Sequence, residues 1–154
     1  LLDKPAEEGG EVVKQVAVYK VGELATPQLK FKVEVNAKEN HLTGMAVHLP
    51  GAFAVVVVEG GPKTLRRYEK LMLRRIDWSG AGKNTQDDED EEDDDGDGKP
   101  HNYCHLVWTG VVKENAFKGR FRTEEVRSEI AGRGIFSAKG VAHYWDLAAA
   151  FVAE

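Results

Sequence analysis

This chain has one cysteine, two methionines and no long apolar run. Cys104 alone cannot close an internal disulfide, which excludes a disulfide-stapled secreted fold and points to a reducing compartment. Nothing approaches the ~18 consecutive apolar residues that a membrane span needs, and no signal-peptide pattern is visible. The chain starts Leu1-Leu2-Asp3 without a methionine, so a piece of a longer protein is expected. Catalytic motifs are scarce as well. There is no G-x-S-x-G elbow, and no paired carboxylates sit on a recognisable element. The Gly60-Gly61-Pro62-Lys63 junction lacks P-loop spacing, and Pro62 removes a backbone donor that a phosphate would use. His101 and His105 flank Cys104, but on a strand the thiol points to the other face and no second ligand pair follows. Neither a metal, a cofactor nor a small-molecule substrate is indicated, and a non-catalytic protein is expected.

What remains is a chain of 154 residues, 42% hydrophobic and 31% charged, the size of one domain with appendages. Its formal charge of −5 argues at first against a nucleic-acid partner. The charge is unevenly placed, however. Residues 87–97 (DDEDEEDDDGD) hold ten acids and no base, leaving 21 bases against 16 acids elsewhere, a balance of +5. Setting aside residues 1–11 as well leaves 20 against 12, or +8. An acidic loop next to a basic surface either competes with phosphates for the same cations or merely solubilises the chain.

Residues 1–15, with Pro5 and Gly9-Gly10 among acids, read as a flexible lead-in. Residues 16–154 read as one domain, interrupted at about 79–100 by an acidic insertion too polar to bury a core. Val16 to Val21 forms a short strand. Thr26-Pro27 is a helix start. The residues after it, Leu29, Phe31, Val33 and Val35, fit both strand alternation and helical i,i+4 spacing, and the Thr-Pro start favours the helix. His41–Leu49 and Phe53–Glu59 read as a hairpin about Pro50-Gly51, the second strand carrying four consecutive valines as a strand buried on both faces does. A helix follows over Lys63–Ile76, then a strand over Tyr103–Gly110 with Phe117–Val126 as its expected antiparallel partner. Ser128-Glu129 caps a helix to about Lys139, and Val141–Phe151 is a last one. Two strand–strand–helix units predict an α+β ferredoxin-like sandwich, a four-stranded antiparallel sheet with helices mainly on one face.

The strongest chemical signal lies on the helix over 63–76. Lys63, Arg67, Lys70 and Arg74 are spaced by 4, 3 and 4, one stripe down a helix face, with Arg66 and Arg75 beside it and Leu65, Tyr68, Met72 and Ile76 opposite. Such a row can follow a phosphate backbone; it can also be an ordinary solvated face. Trp78 and His143-Tyr144-Trp145 supply aromatics of the kind that stack on unpaired bases, although Trp108 and Trp145 read as core.

The stretch LKFKVEVNAKENHLTG, the run VVVVEGGPKTLRRYEKLMLRRIDW and the terminal HYWDL together resemble the C-terminal domain of the pre-mRNA processing factor 3 family, part of the U4/U6 small nuclear ribonucleoprotein. The similarity runs from VAVYKV almost to the end, and its motifs are specific in combination. It departs at AGRGIF, glycine-rich here where the family is more strongly charged. The resemblance implies a nuclear protein that contacts U4/U6 small nuclear RNA, above all single-stranded U6 beside the duplex, and other proteins of the U4/U6 and tri-snRNP particles. On that basis Lys63, Arg67, Lys70, Arg74 and Arg75 are expected to neutralise phosphates, and Lys38 to lie among the RNA-binding residues. Asn36, Thr43 and His143 would bond bases or ribose, and Tyr144 or Trp78 would stack. The alternative is a protein-interaction module whose basic face docks an acidic partner.

Overall fold

The computed structural model describes residues 13–24, 26–78 and 102–152. The acidic insertion and most of the lead-in lie outside the described residues. The elements run β1 (Lys14–Val21), α1 (Pro27–Glu39), β2 (Thr43–Leu49), β3 (Phe53–Gly60), α2 (Pro62–Lys70) ending in a π-helical turn (Leu71–Arg75), β4 (Cys104–Val112), β5 (Arg122–Glu125), α3 (Glu129–Ser137) and α4 (Ala142–Ala150).

The sheet has five strands in the order β4-β1-β3-β2-β5, not the four expected. The first four pair antiparallel in the ferredoxin-like order. The fifth joins β2 in parallel, Met45 opposite Arg122 and His48 opposite Glu125. Residues 117–126 are therefore not the antiparallel partner of β4. The reason lies in the loop that leaves β4, which crosses the end of the sheet instead of folding back. Glu59, the last acid of β3 and 1% exposed, accepts bonds from the amides of Ala116 (2.7 Å) and Phe117 (3.2 Å) and from the Thr43 hydroxyl (2.6 Å). Three donors satisfy the buried carboxylate and hold the crossing loop in place.

Helices cover both faces of the sheet, which corrects the one-sided expectation. Ala54, Val56 and Val58 of β3 face α1 and α2, together with Leu29, Val33, Tyr68 and Met72. Val55 and Val57 face α3 and α4, together with Phe136, Tyr144 and Trp145. A strand apolar on both faces needs a layer against each of them, since every valine fully buried contributes about 1.5–3 kcal/mol. The hairpin is tight: Gly44, at φ +136°, passes so close to β3 that a Cβ there would lie 1.9 Å from the Val57 carbonyl oxygen.

Two local features position the surface described below. Thr26 caps α1, its Oγ1 accepting from the Leu29 amide at 3.2 Å, and the helix buries Leu29, Val33 and Ala37 while Phe31 stays 64% exposed. The expected helix is thus present, and the i,i+4 pair prevails over the strand alternation. At its other end α1 closes in a Schellman arrangement, with Leu42 N–H bonded to Ala37 O (2.9 Å) and His41 N–H to Lys38 O (3.0 Å). The left-handed position there, φ 56°, is filled by His41 where glycine is usual. The chain that leads into β4 after the acidic insertion is also fastened. Asn102 grips Glu23 twice, Oδ1 accepting from Glu23 N–H at 2.7 Å and Nδ2 donating to Glu23 O at 2.8 Å.

Candidate nucleic-acid interface

The cationic face of α2 follows from its sequence. Pro62 at the first turn presets φ and needs no amide partner. Leu65, Tyr68 and Met72 are buried against the sheet, so Lys63, Arg66, Arg67, Lys70, Arg74 and Arg75 are turned to solvent and all are exposed. Tyr68 locks the orientation, its hydroxyl donating to Val33 O of α1 at 2.9 Å and its ring meeting Tyr19 edge-on. Among the described residues, none of Lys63, Arg66, Lys70, Arg74 and Arg75 is ion-paired. The basic row is therefore free to meet an anion.

The π-helical turn explains why Trp78 is not part of that surface. There the Ile76 amide bonds to Leu71 O, five residues back, at 3.0 Å. This leaves Met72 O open, and the Trp78 indole N–H donates to it at 2.6 Å. Trp78 is 8% exposed and belongs to the core beneath α1 and α2, so it offers no stacking face. Tyr144, 2% exposed, is likewise a core residue, packed with Trp108. Both stacking assignments are corrected for the same reason: each ring is consumed by a helix-to-sheet contact. His143 is exposed, but it lies on α4, across the sheet from α2, where its ring meets Trp108 and Tyr144.

The other expected contacts divide. Asn36 donates to Lys32 O at 2.7 Å, and its own carbonyl accepts from the Asn40 side chain at 2.8 Å, so it serves the end of α1. Thr43 is held by Glu59. Lys38 is exposed and, with Thr43, lines a cavity of about 390 Å³ at the end of α1. His41 and Arg120 complete its polar wall, Gly119 opens its rim, and Leu42 and Phe121 form an apolar floor. Arg67 ties the α2 row to the end of α1 beside this cavity, its Nη1 donating to Oδ1 of Asn40, the residue before His41, at 3.3 Å. The structure thus brings Lys38 and Thr43 together with two residues that sequence reading missed. Arg120 has no sequence signal, because only the loop crossing at Glu59 carries it there. His41 does have one: it follows a helix end where glycine is usual.

The α3–α4 side is different in character. Gly132 lies under Trp145, where a Cβ would come within 2.4 Å of the ring. Arg133 makes a two-pronged bond to Asp146, Nε to Oδ1 at 2.8 Å and Nη2 to Oδ2 at 2.9 Å. That bond holds the Asp146 carboxyl below its ordinary range. Cys104 packs against the α1–α2 core, where burial pushes its thiol up to about 12, unsuited to nucleophilic chemistry. His105 stacks on Tyr103, and His101 lies outside the described residues. No cluster of three metal-ligating side chains occurs among the described residues.

Residues 17–148 match the family described as small nuclear ribonucleoprotein Prp3, C-terminal domain. The chain is similar to protein RDM16 of Arabidopsis thaliana, 42% identical over 133 residues that cover 86% of this chain and 16% of that protein. It is 30% identical over 140 residues to the U4/U5/U6 small nuclear ribonucleoprotein prp3 of Schizosaccharomyces pombe, covering 85% of this chain and 25% of the relative. The chain therefore spans a quarter or less of these relatives. Among solved structures, the BLUF protein BlrB in its dark state shares the fold with TM-score 0.53 at 13% identity, covering 91% of this chain and 98% of that one.

Proposed function

Since the chain belongs to the family of the Prp3 C-terminal domain, we propose that it is a non-catalytic RNA-binding and scaffold domain of a splicing ribonucleoprotein. On this reading it works in the nucleus, beside other U4/U6 and tri-snRNP proteins, and its ligand is U4/U6 small nuclear RNA, chiefly the single-stranded part of U6 next to the duplex. The observation that carries the reading is the exposed row Lys63, Arg67, Lys70 and Arg74, which makes no ion pair among the described residues, on a helix whose opposite side is locked into the core. Each cation that neutralises a phosphate releases condensed counterions, so binding is driven by charge and weakens with salt. With Trp78 and Tyr144 in the core, phosphate contacts dominate and ring stacking from these two residues contributes nothing.

The test is a titration of single-stranded U-rich RNA, with and without an adjoining duplex, at several salt concentrations. Lys70→Ala and Arg74→Ala should each flatten the salt dependence by about one unit. Absence of binding at low salt, with both variants indistinguishable from the parent chain, would overturn the reading. Binding of an acidic polypeptide in place of RNA would favour a protein-docking module.

A further inference from the structure

The cavity at the end of α1 has a property that an ordinary surface depression lacks. Three cationic or donor side chains from separate parts of the chain converge on it: Lys38 from α1, His41 from the turn after it, and Arg120 from the crossing loop. Two of the carbonyls that the C-terminus of α1 would aim at an anion are engaged, Ala37 O by Leu42 N–H and Lys38 O by His41 N–H. The nearby Glu59 carboxylate is turned onto its own three donors. A second, independent observation concerns His41, which occupies the left-handed position at φ 56° where glycine is the unstrained choice. The Schellman turn needs a left-handed residue at this position but not a histidine, so the choice of His41 points to a use for its side chain. An imidazole donates one N–H even when neutral, so it complements an anion beside Lys38 and Arg120.

From these residues the geometry points to a receptor for a single phosphate group of a nucleic-acid strand, with Lys38, His41 and Arg120 as its ligands. The apolar floor of Leu42 and Phe121 shields the contact from water. The site rests on the RNA-binding reading and deepens it. Arg67, bonded to Asn40, hands the strand from the α2 row to the cavity, so the cavity fixes the register of a chain that the row alone would hold loosely.

The experiment uses the 154-residue chain and three RNA or anion probes: an oligouridylate without terminal phosphates, the same oligomer with a 5′-phosphate, and inorganic phosphate. Lys38→Ala and Arg120→Ala should each weaken oligouridylate binding roughly three- to tenfold at low salt and reduce the salt slope by about one. Lys118→Ala, an exposed lysine of the same loop outside the cavity, removes equal charge and should have a smaller effect. His41→Gly should melt at the same temperature or higher, because it relieves the left-handed position, and yet bind more weakly. Amide resonances of His41, Thr43, Gly119 and Arg120 should shift on binding. A further gain from the 5′-phosphate that disappears in Arg120→Ala assigns a terminal phosphate; equal binding of both oligomers assigns an internal one.

If Arg74→Ala weakens RNA binding while Lys38→Ala, Arg120→Ala and Lys118→Ala behave alike, the receptor is refuted and the RNA reading stands. If the parent chain binds no RNA but inorganic phosphate shifts the cavity amides, the cavity binds phosphate but not that of a nucleic-acid strand, and the RNA reading fails with that assignment. Silence of those amides toward all three probes refutes the receptor.

Discussion

On one side of the sheet, α3 and α4 close on each other over Gly132 and Trp145 and join Arg133 to Asp146. On the other, α2 is fixed from below by Tyr68 and Met72 and leaves its outer cations bare. Both layers cover the same valine strand, Val55 and Val57 facing one and Val56 and Val58 the other. On the first layer Arg133 and Asp146 hold the two helices together. On the second, among the described residues, Lys63, Arg66, Lys70, Arg74 and Arg75 of α2 and its π-helical turn have no ion-pair partner. A basic residue is thus informative about function only once its pairing is known.

The contrast predicts that substitutions divide cleanly between stability and binding. Trp145→Ala should have the largest effect, about 3–5 kcal/mol lost in urea unfolding, with the salt slope of RNA binding unchanged in the protein that remains folded. Loss of that slope would show that the two layers are not independent. Next, Tyr68→Phe removes the bond to Val33 O that orients α2 and should cost about 0.5–1.5 kcal/mol, again by urea unfolding. Lys70→Ala should leave stability within ~0.5 kcal/mol while taking one unit from the salt slope, so a large stability change would reveal an unsuspected structural role. The smallest effect concerns pH. Because Asp146 titrates below its ordinary value of 3.8 in the folded chain, the stabilisation from its bond to Arg133 is fully present above that value. It is lost as pH falls through the lower folded value. Asp146→Asn should flatten the melting temperature against pH in that acidic window and leave it unchanged near neutrality.

Local features were legible before the structure. Thr26-Pro27 starts α1, Pro50-Gly51 turns the hairpin, and the 4-3-4 spacing of cations on α2 survives as an exposed row. The four valines of β3 already required cover on both faces, yet the one-sided sandwich did not provide it. What stayed hidden is long-range. Nothing local to residues 122–125 says that they pair in parallel with β2, because that depends on a carboxylate at position 59 catching amides at 116 and 117. Aromatic composition marked Trp78 and Tyr144 as available rings. Their burial follows from a widened helix turn and from the second helical layer, neither visible as periodicity. Arg120 reaches Lys38 and His41 by the same crossing.

The fastenings at Trp78 and Asn102 carry a consequence for how this domain tolerates change. They bracket residues 79–101, Trp78 sealed into the core and Asn102 bonded twice to Glu23. Closing a longer loop between fixed ends costs only about 0.6 kcal/mol per doubling of its length. The interval between them can therefore lengthen, shorten or change its composition with little penalty to the sheet. This makes it the natural place for the domain to accept insertions and to vary its net charge without remaking its fold.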